Sequence, residues 1–174
     1  MMRHVISVLL QNEVGALTRM TGLFSTRGYN IDTLNVAPTQ EETVSRVTLV
    51  VSGSDDAIAQ LNAQLAKLVD VVSIHDMTLG EMFERELVII KLKLTDSQLP
   101  EARSLATQYG AEVLDESADS FTLQLTGAVP EVDTFVHAAM ATGVLAAVAR
   151  SGSVAVSQGE VTLSSYIRHH RLSG

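Results

Sequence analysis

Shifted by 82 residues, the chain matches itself in pattern. Ile6, Val8 and Leu10 fall on Val88, Ile90 and Leu92, and Leu23-Phe24-Ser25-Thr26-Arg27-Gly28 falls on Leu105-Ala106-Thr107-Gln108-Tyr109-Gly110. Ile31 then meets Val113. Further on the shift drops to 74, where Val47–Val51 meets Phe121–Leu125, so one loop is eight residues longer in the first half. A repeat on this scale means two copies of one supersecondary unit. The 174 residues suffice for two small domains, each with its own core.

Each half reads strand, helix, strand, strand, helix, strand. In the first, strands are expected near 4–10, 31–37, 44–52 and 70–78, with helices near 16–27 and 55–67. Ser54-Asp55 supplies a cap for the second helix, and Gly28 suits the left-handed position that ends the first. In the second half, strands are expected near 85–94, 111–116, 120–126 and 144–156, with helices near 97–109 and 130–141. Pro130 suits a first helical turn. This order is the ferredoxin-like βαββαβ unit, so the fold class is α+β with two such domains in tandem, 1–79 and 80–174, joined at Leu79-Gly80-Glu81.

Antiparallel sheets of this unit carry helices on one face only, yet Val5 to Leu10 is apolar at nearly every position. The helix-free face must therefore be covered, by the other half or by another subunit. Asp32 to Ala37 is expected to be an edge strand. It has no lysine, and Pro38 comes only at its end, so it invites pairing with a second copy into one continuous sheet.

Composition narrows the function. Apolar residues make up 46% and aromatics 4%, so the core is aliphatic. No apolar run approaches the ~18 residues of a membrane span. Met1-Met2-Arg3-His4 leads straight into strand-like sequence, which leaves no room for a signal peptide. The absence of cysteine fits a cytoplasmic protein. A net charge of −8 argues against nucleic acid or an anionic membrane as partner.

One stretch carries chemistry. Asn12-Glu13-Val14-Gly15 joins the first strand directly to the first helix, and the unpaired amides of that helix start suit a small carboxylate. Asn30 lies at the helix's other end, and both asparagines offer a carbonyl to an ammonium group. A free amino acid needs that pairing. The plainer alternative is a tight turn at Asn12–Gly15 and a helix stop at Gly28–Asn30. If two domains pair along 32–37, the loop of one faces Asn30 of the other and a pocket forms between them. The histidines do not suggest a metal site. His4 and His75 lie on separate strands with no spaced carboxylate, and His137 has only Met140 and Ala141 after it at helical spacing. Arg168-His169-His170-Arg171 is a short basic tail. There is no phosphate loop, nucleophile elbow or HExxH. Val47, Leu49 and Val51 stand where an RNA-binding aromatic platform would be.

Asn12-Glu13-Val14-Gly15-Ala16-Leu17-Thr18-Arg19, Gly22-Leu23-Phe24-Ser25 and Arg27-Gly28-Tyr29-Asn30-Ile31 closely resemble the small regulatory subunit of acetolactate synthase. So do Val36-Ala37-Pro38-Thr39, Leu68-Val69-Asp70-Val71, Arg85-Glu86-Leu87 and Ala149-Arg150-Ser151-Gly152. The resemblance implies that the first domain is an ACT domain, that the chain forms a homodimer, and that valine binds at the dimer interface. It implies effector contacts at Asn12, Gly15, Ala16, Asn30 and Ile31, with Ala37 nearby. It also implies a large catalytic partner using thiamine diphosphate, magnesium and FAD, activated by this chain and made sensitive to valine, while this chain binds no cofactor and catalyses nothing. That partner makes the first common step toward valine, leucine and isoleucine. Gln11 and Met20 depart from the usual pattern, and Val161 to Gly174 matches nothing assignable. The second half lacks the motif, with Leu94 and Ser97 at the places of Asn12 and Gly15, which points to a role in assembly. Two rivals stand beside this reading: an ACT-type sensor acting on a different enzyme, and an enzyme in its own right.

Overall fold

The first strand, β1 (Met2–Gln11), is buried from His4 through Leu10 because it lies inside a sheet and not at its edge. A computed structural model describes residues 2–117 and 120–160 and places β1 between two antiparallel neighbours. The other elements of this half are α1 (Ala16–Thr26), β2 (Ile31–Pro38), β3 (Val44–Gly53), α2 (Asp55–Leu65) and β4 (Val71–Asp76). The sheet order is β2-β3-β1-β4, so β2 is an edge, as the 32–37 reading expected.

Alternation along the strands sorts side chains between two faces. Ile6, Val8 and Leu10 of β1, with Val47, Leu49 and Val51 of β3, meet Met20 and Phe24 of α1 and Ile58, Leu61 and Leu65 of α2. Burying each of these large side chains contributes roughly 1.5–3 kcal/mol. On the helix-free face, Val5 and Val50 pack with Met77, Met82 and Ala155. Part of the cover expected from elsewhere thus comes from a late segment of the same chain.

α1 stops where Gly28 takes φ 75°. Gly28 N–H donates to Ser25 O at 3.1 Å and Tyr29 N–H to Phe24 O at 2.9 Å, the paired bonds that satisfy a helix's last carbonyls. α2 starts at Ser54, whose hydroxyl accepts from Ala57 N–H. It ends at Leu65, two residues short of the expected span, and its last amide bonds continue as a tight turn through Leu68.

The second half comprises β5 (Met82–Lys93), α3 (Leu99–Tyr109), β6 (Glu112–Ser117), β7 (Ser120–Gly127), α4 (Val129–Thr142), β8 (Val144–Arg150) and β9 (Val154–Ser157). The order is β6-β7-β5-β8, with β9 pairing β5. Pro130 sits in the first turn of α4 as anticipated. Val88, Ile90, Leu92, Phe121 and Leu123 pack against Leu105, Val132 and Phe135. Both halves are therefore βαββαβ units, and the fold class is the one expected.

The strand expected over 144–156 is two strands. The 144–156 segment breaks at Ser151-Gly152-Ser153, where Gly152 adopts φ 72°. Ser151 pairs once more with Leu87, through N–H to O at 3.0 Å and Oγ accepting from Leu87 N–H at 3.0 Å. The chain then turns away. Residues up to Phe83 and the described residues from Ser153 form one compact unit, and Glu84–Gly152 forms the other. Ser153 accepts from Arg3 at 3.2 Å, Ser157 bonds His75 at 3.3 Å, and Gln158 N–H donates to Glu81 O at 2.8 Å. The expected boundary at 79/80 keeps 80–174 together, whereas Ser153–Gln158 sides with the first unit.

Candidate functional site

Gly15 heads α1 with φ 86° and ψ −11°, a conformation that favours glycine. No side chain caps this helix, and its first turn holds no acid. Ala16 N–H reaches Glu13 O at 3.2 Å, while the Leu17 and Thr18 amides find no acceptor among the described residues. The helix start is therefore an uncapped cluster of donors with the helix dipole behind it.

Asn12 stands at the rim, exposed. Its backbone N–H donates to Thr43 O at 2.8 Å and its Nδ2 to Glu42 O at 3.1 Å, which ties the turn to the β2–β3 hairpin and leaves Oδ1 with no donor among the described residues. Ala16 is buried among Ile6, Met20 and Phe24, so only its backbone can reach a ligand. At the far end of α1, Asn30 is exposed and its Nδ2 donates to Asp32 Oδ1 at 3.0 Å, while Asp32 Oδ2 accepts from Ser52 Oγ at 2.9 Å. Asn30 Oδ1 accepts no hydrogen bond among the described residues. Ile31 begins β2 half-buried against the core, and Ala37 lies exposed near the end of that strand.

One chain does not bring these residues together. The 11 residues of α1 separate Asn12 and Gly15 from Asn30, a rise of about 16 Å. Apolar side chains around the helix start and the β2 edge lie open: Val14 is 100% exposed and Val36 40%, and Leu17 is partly exposed as well.

Two further residues belong here that local pattern did not reveal. Arg19 donates through Nε and Nη2 to Asp70 at 2.6 and 2.8 Å. Asp70 is 3% exposed. The guanidinium bond holds the Asp70 carboxyl below its ordinary value of 3.8, and Asp70 in turn raises Arg19. The two are 51 residues apart, so no spacing rule pairs them.

The histidines need one correction. His4 does meet carboxylates, Asp76 at 3.1 Å through Nδ1 and Asp55 at 3.3 Å through Nε2, because β1 passes the start of α2 and the end of β4. The two acids approach opposite ring nitrogens, and no three His, Cys, Asp or Glu among the described residues form a metal-binding group. His75 is pushed down chiefly by burial, and His137 contacts Asp133 O at 2.8 Å on its own helix. The basic tail at 168–171 lies outside the described residues. A cavity of about 270 Å³ exists in the second unit, lined by Leu94, Asp96, Glu116, Ser117 and Phe121 among others. It holds none of the predicted site residues, and Glu116 is engaged by Arg103.

Residues 6–73 match the family described as AHAS small subunit-like ACT domain, and residues 85–159 match the small subunit of acetolactate synthase. The acetolactate synthase small subunit of Haemophilus influenzae is 42% identical over 159 residues, covering 91% of this chain and 98% of that one. The isozyme 3 small subunit of Escherichia coli is 38% identical over the same shares. The crystal structure of the acetolactate synthase small subunit from Thermotoga maritima superposes with a TM-score of 0.84 at 28% identity, covering 92% of this chain and all of that one. No helix among the described residues is long and apolar enough to cross a membrane.

Proposed function

Because the chain belongs to the acetolactate synthase small-subunit family, a regulatory subunit whose partner is the large catalytic subunit, we propose that it is the valine sensor of that complex. Valine binds where the α1 start of one copy meets Asn30 of another. Its carboxylate takes the open amides after Gly15. Its ammonium is accepted by Asn12 and Asn30, and its side chain rests among Val14, Leu17 and Val36. The backbones of Ala16 and Ile31, with Ala37 beside them, complete the wall.

The observation that carries this reading is the separation of Asn12 from Asn30 by the whole of α1. A ligand contacting both needs two chains, and the unguarded β2 edge supplies the means, two β2 strands pairing across a two-fold axis into one sheet. Valine occupancy then biases the dimer, and through it the activity of the cytoplasmic synthase. This chain activates that enzyme and makes it valine-sensitive. The thiamine diphosphate, magnesium and FAD reside on the large subunit, whose transferase chemistry needs no residue of this chain. The second unit serves assembly.

Calorimetry of the full-length protein tests the effector: valine should bind and glutamate should not. A titration of the large subunit, with and without valine, tests the rest, with activation expected in its absence and inhibition in its presence. Equal binding of glutamate would sink the valine assignment.

A further inference from the structure

Arg19 lies one turn beyond Gly15 on α1, and helical side chains lean toward the helix N-terminus. Its guanidinium therefore lies back over the uncapped helix start. Two of its nitrogens are fixed by the Asp70 carboxylate. The third, Nη1, makes no hydrogen bond among the described residues. It lies so close to Gly15 that a Cβ built there would be 2.8 Å away. Half of the Arg19 side chain is open to solvent.

The second unit shows what a purely structural version of this fork looks like. Arg150 grips the buried Glu86 in the same way, Nε and Nη2 at 2.9 and 2.6 Å. There Nη1 is also used, on Asp133 at 2.8 Å. In the first unit the third nitrogen is left over, and it is left over beside Gly15 at the head of α1.

We propose that Arg19 Nη1 receives the carboxylate of the effector, with Asp70 as the positioning residue that aims it. This rests on the effector reading above and adds to it a residue and a specificity. Arg19 and Asp70 together are close to neutral, so the site does not attract anions by net charge. It selects them by directed, charge-assisted N–H bonds, which a carboxylate accepts more strongly than a neutral carbonyl does. Gly15 gains a second reason to be glycine, since a Cβ there would push Nη1 out of its place beside the helix start.

The test is calorimetric titration of the full-length protein with L-valine and with L-valinamide, which keeps the side chain and the ammonium but lacks the carboxylate. The wild type should prefer valine. Arg19→Gln should weaken valine by about tenfold or more and leave valinamide where it was, so the preference collapses. Asp70→Asn, which frees the fork but keeps the Arg19 guanidinium, should lower valine binding severalfold and again spare valinamide. Thermal midpoints show whether each variant folds, and Asp70→Asn carries the test if Arg19→Gln does not. A preference that survives both substitutions, or equal losses for both ligands, overturns the assignment of Arg19 while valine binding by the wild type stands. A wild type that binds neither ligand overturns the effector reading and this assignment with it.

Discussion

The two strand-to-helix turns, related by the internal repeat, are built to opposite ends. After β5, Thr95 N–H and Oγ1 both donate to Gln98 Oε1 at 2.9 Å, Thr95 Oγ1 meets Ser97 Oγ at 3.0 Å, and Gln98 Nε2 donates to Thr142 O at 3.1 Å. Pro100 removes one more donor from the start of α3. That turn satisfies itself. After β1, the equivalent turn has a glycine cap, no side-chain acceptor and a guanidinium nitrogen to spare. One fold thus yields a finished turn or a receptive one, depending on whether a few polar side chains, here Thr95, Ser97 and Gln98, close on each other. The edges differ likewise. β6 presents Glu112, Asp115 and Glu116, all exposed, whereas β2 has the single acid Asp32, itself bonded to Ser52. Charge guards one edge against strand pairing and leaves the other open to it.

The largest effect expected from breaking this contrast lies in the second unit. Arg150→Ala strands the Glu86 carboxylate, whose side chain is 2% exposed, and should cost about 3–5 kcal/mol by denaturant unfolding. At the receptive turn, Gly15→Asp forces a side chain into a positive-φ position, a strain of about 1–3 kcal/mol, and adds like charge. Valine affinity should fall about a hundredfold, while Ser97→Asp at the finished turn should leave it unchanged. Unaltered affinity in Gly15→Asp would move the site elsewhere.

A smaller effect is expected at the edges. Asn35→Pro should lower the solution mass of the dimer and weaken valine about tenfold, because each proposed site draws on two chains. Leu114→Pro, at the irregularity of the acid-guarded β6, should not change the mass. The smallest effect is in pH. The folded Asp70 carboxyl is held below 3.8, so its pairing with Arg19 stabilises fully above the unfolded value and is lost as pH falls through the lower folded one. Glu116 behaves alike from 4.5, but on the surface beside Arg103. Acid unfolding followed with added salt should separate them, since screening weakens the exposed pair and spares the sheltered one.

The units were legible because their period is local: Ile6, Val8 and Leu10 announce one face of β1, and Gly28 announces the end of α1. The site was half legible. Asn12 and Gly15 stand on a short motif, but Arg19 and Asp70 are joined only by topology, α1 lying against the turn before β4, and neither residue carries a signature. His4 hid its two acids for the same reason. The break at Ser151–Ser153 was missed because Val144–Ala149 and Val154–Val156 share one hydropathy, and Gly152 alone marks the turn.

That turn has a consequence for how the protein is made. A chain emerging residue by residue can form β1 to β4 and both helices of the first unit early, since every strand they need precedes Met77. Val5, Val50 and Met77, however, must wait for Ala155 until the whole of Glu84–Gly152 has been synthesised. During that interval an apolar patch stays bare on a nearly complete domain. The nascent chain is then most exposed to wrong partners, and a pause in translation before codon 155 should lengthen the risk.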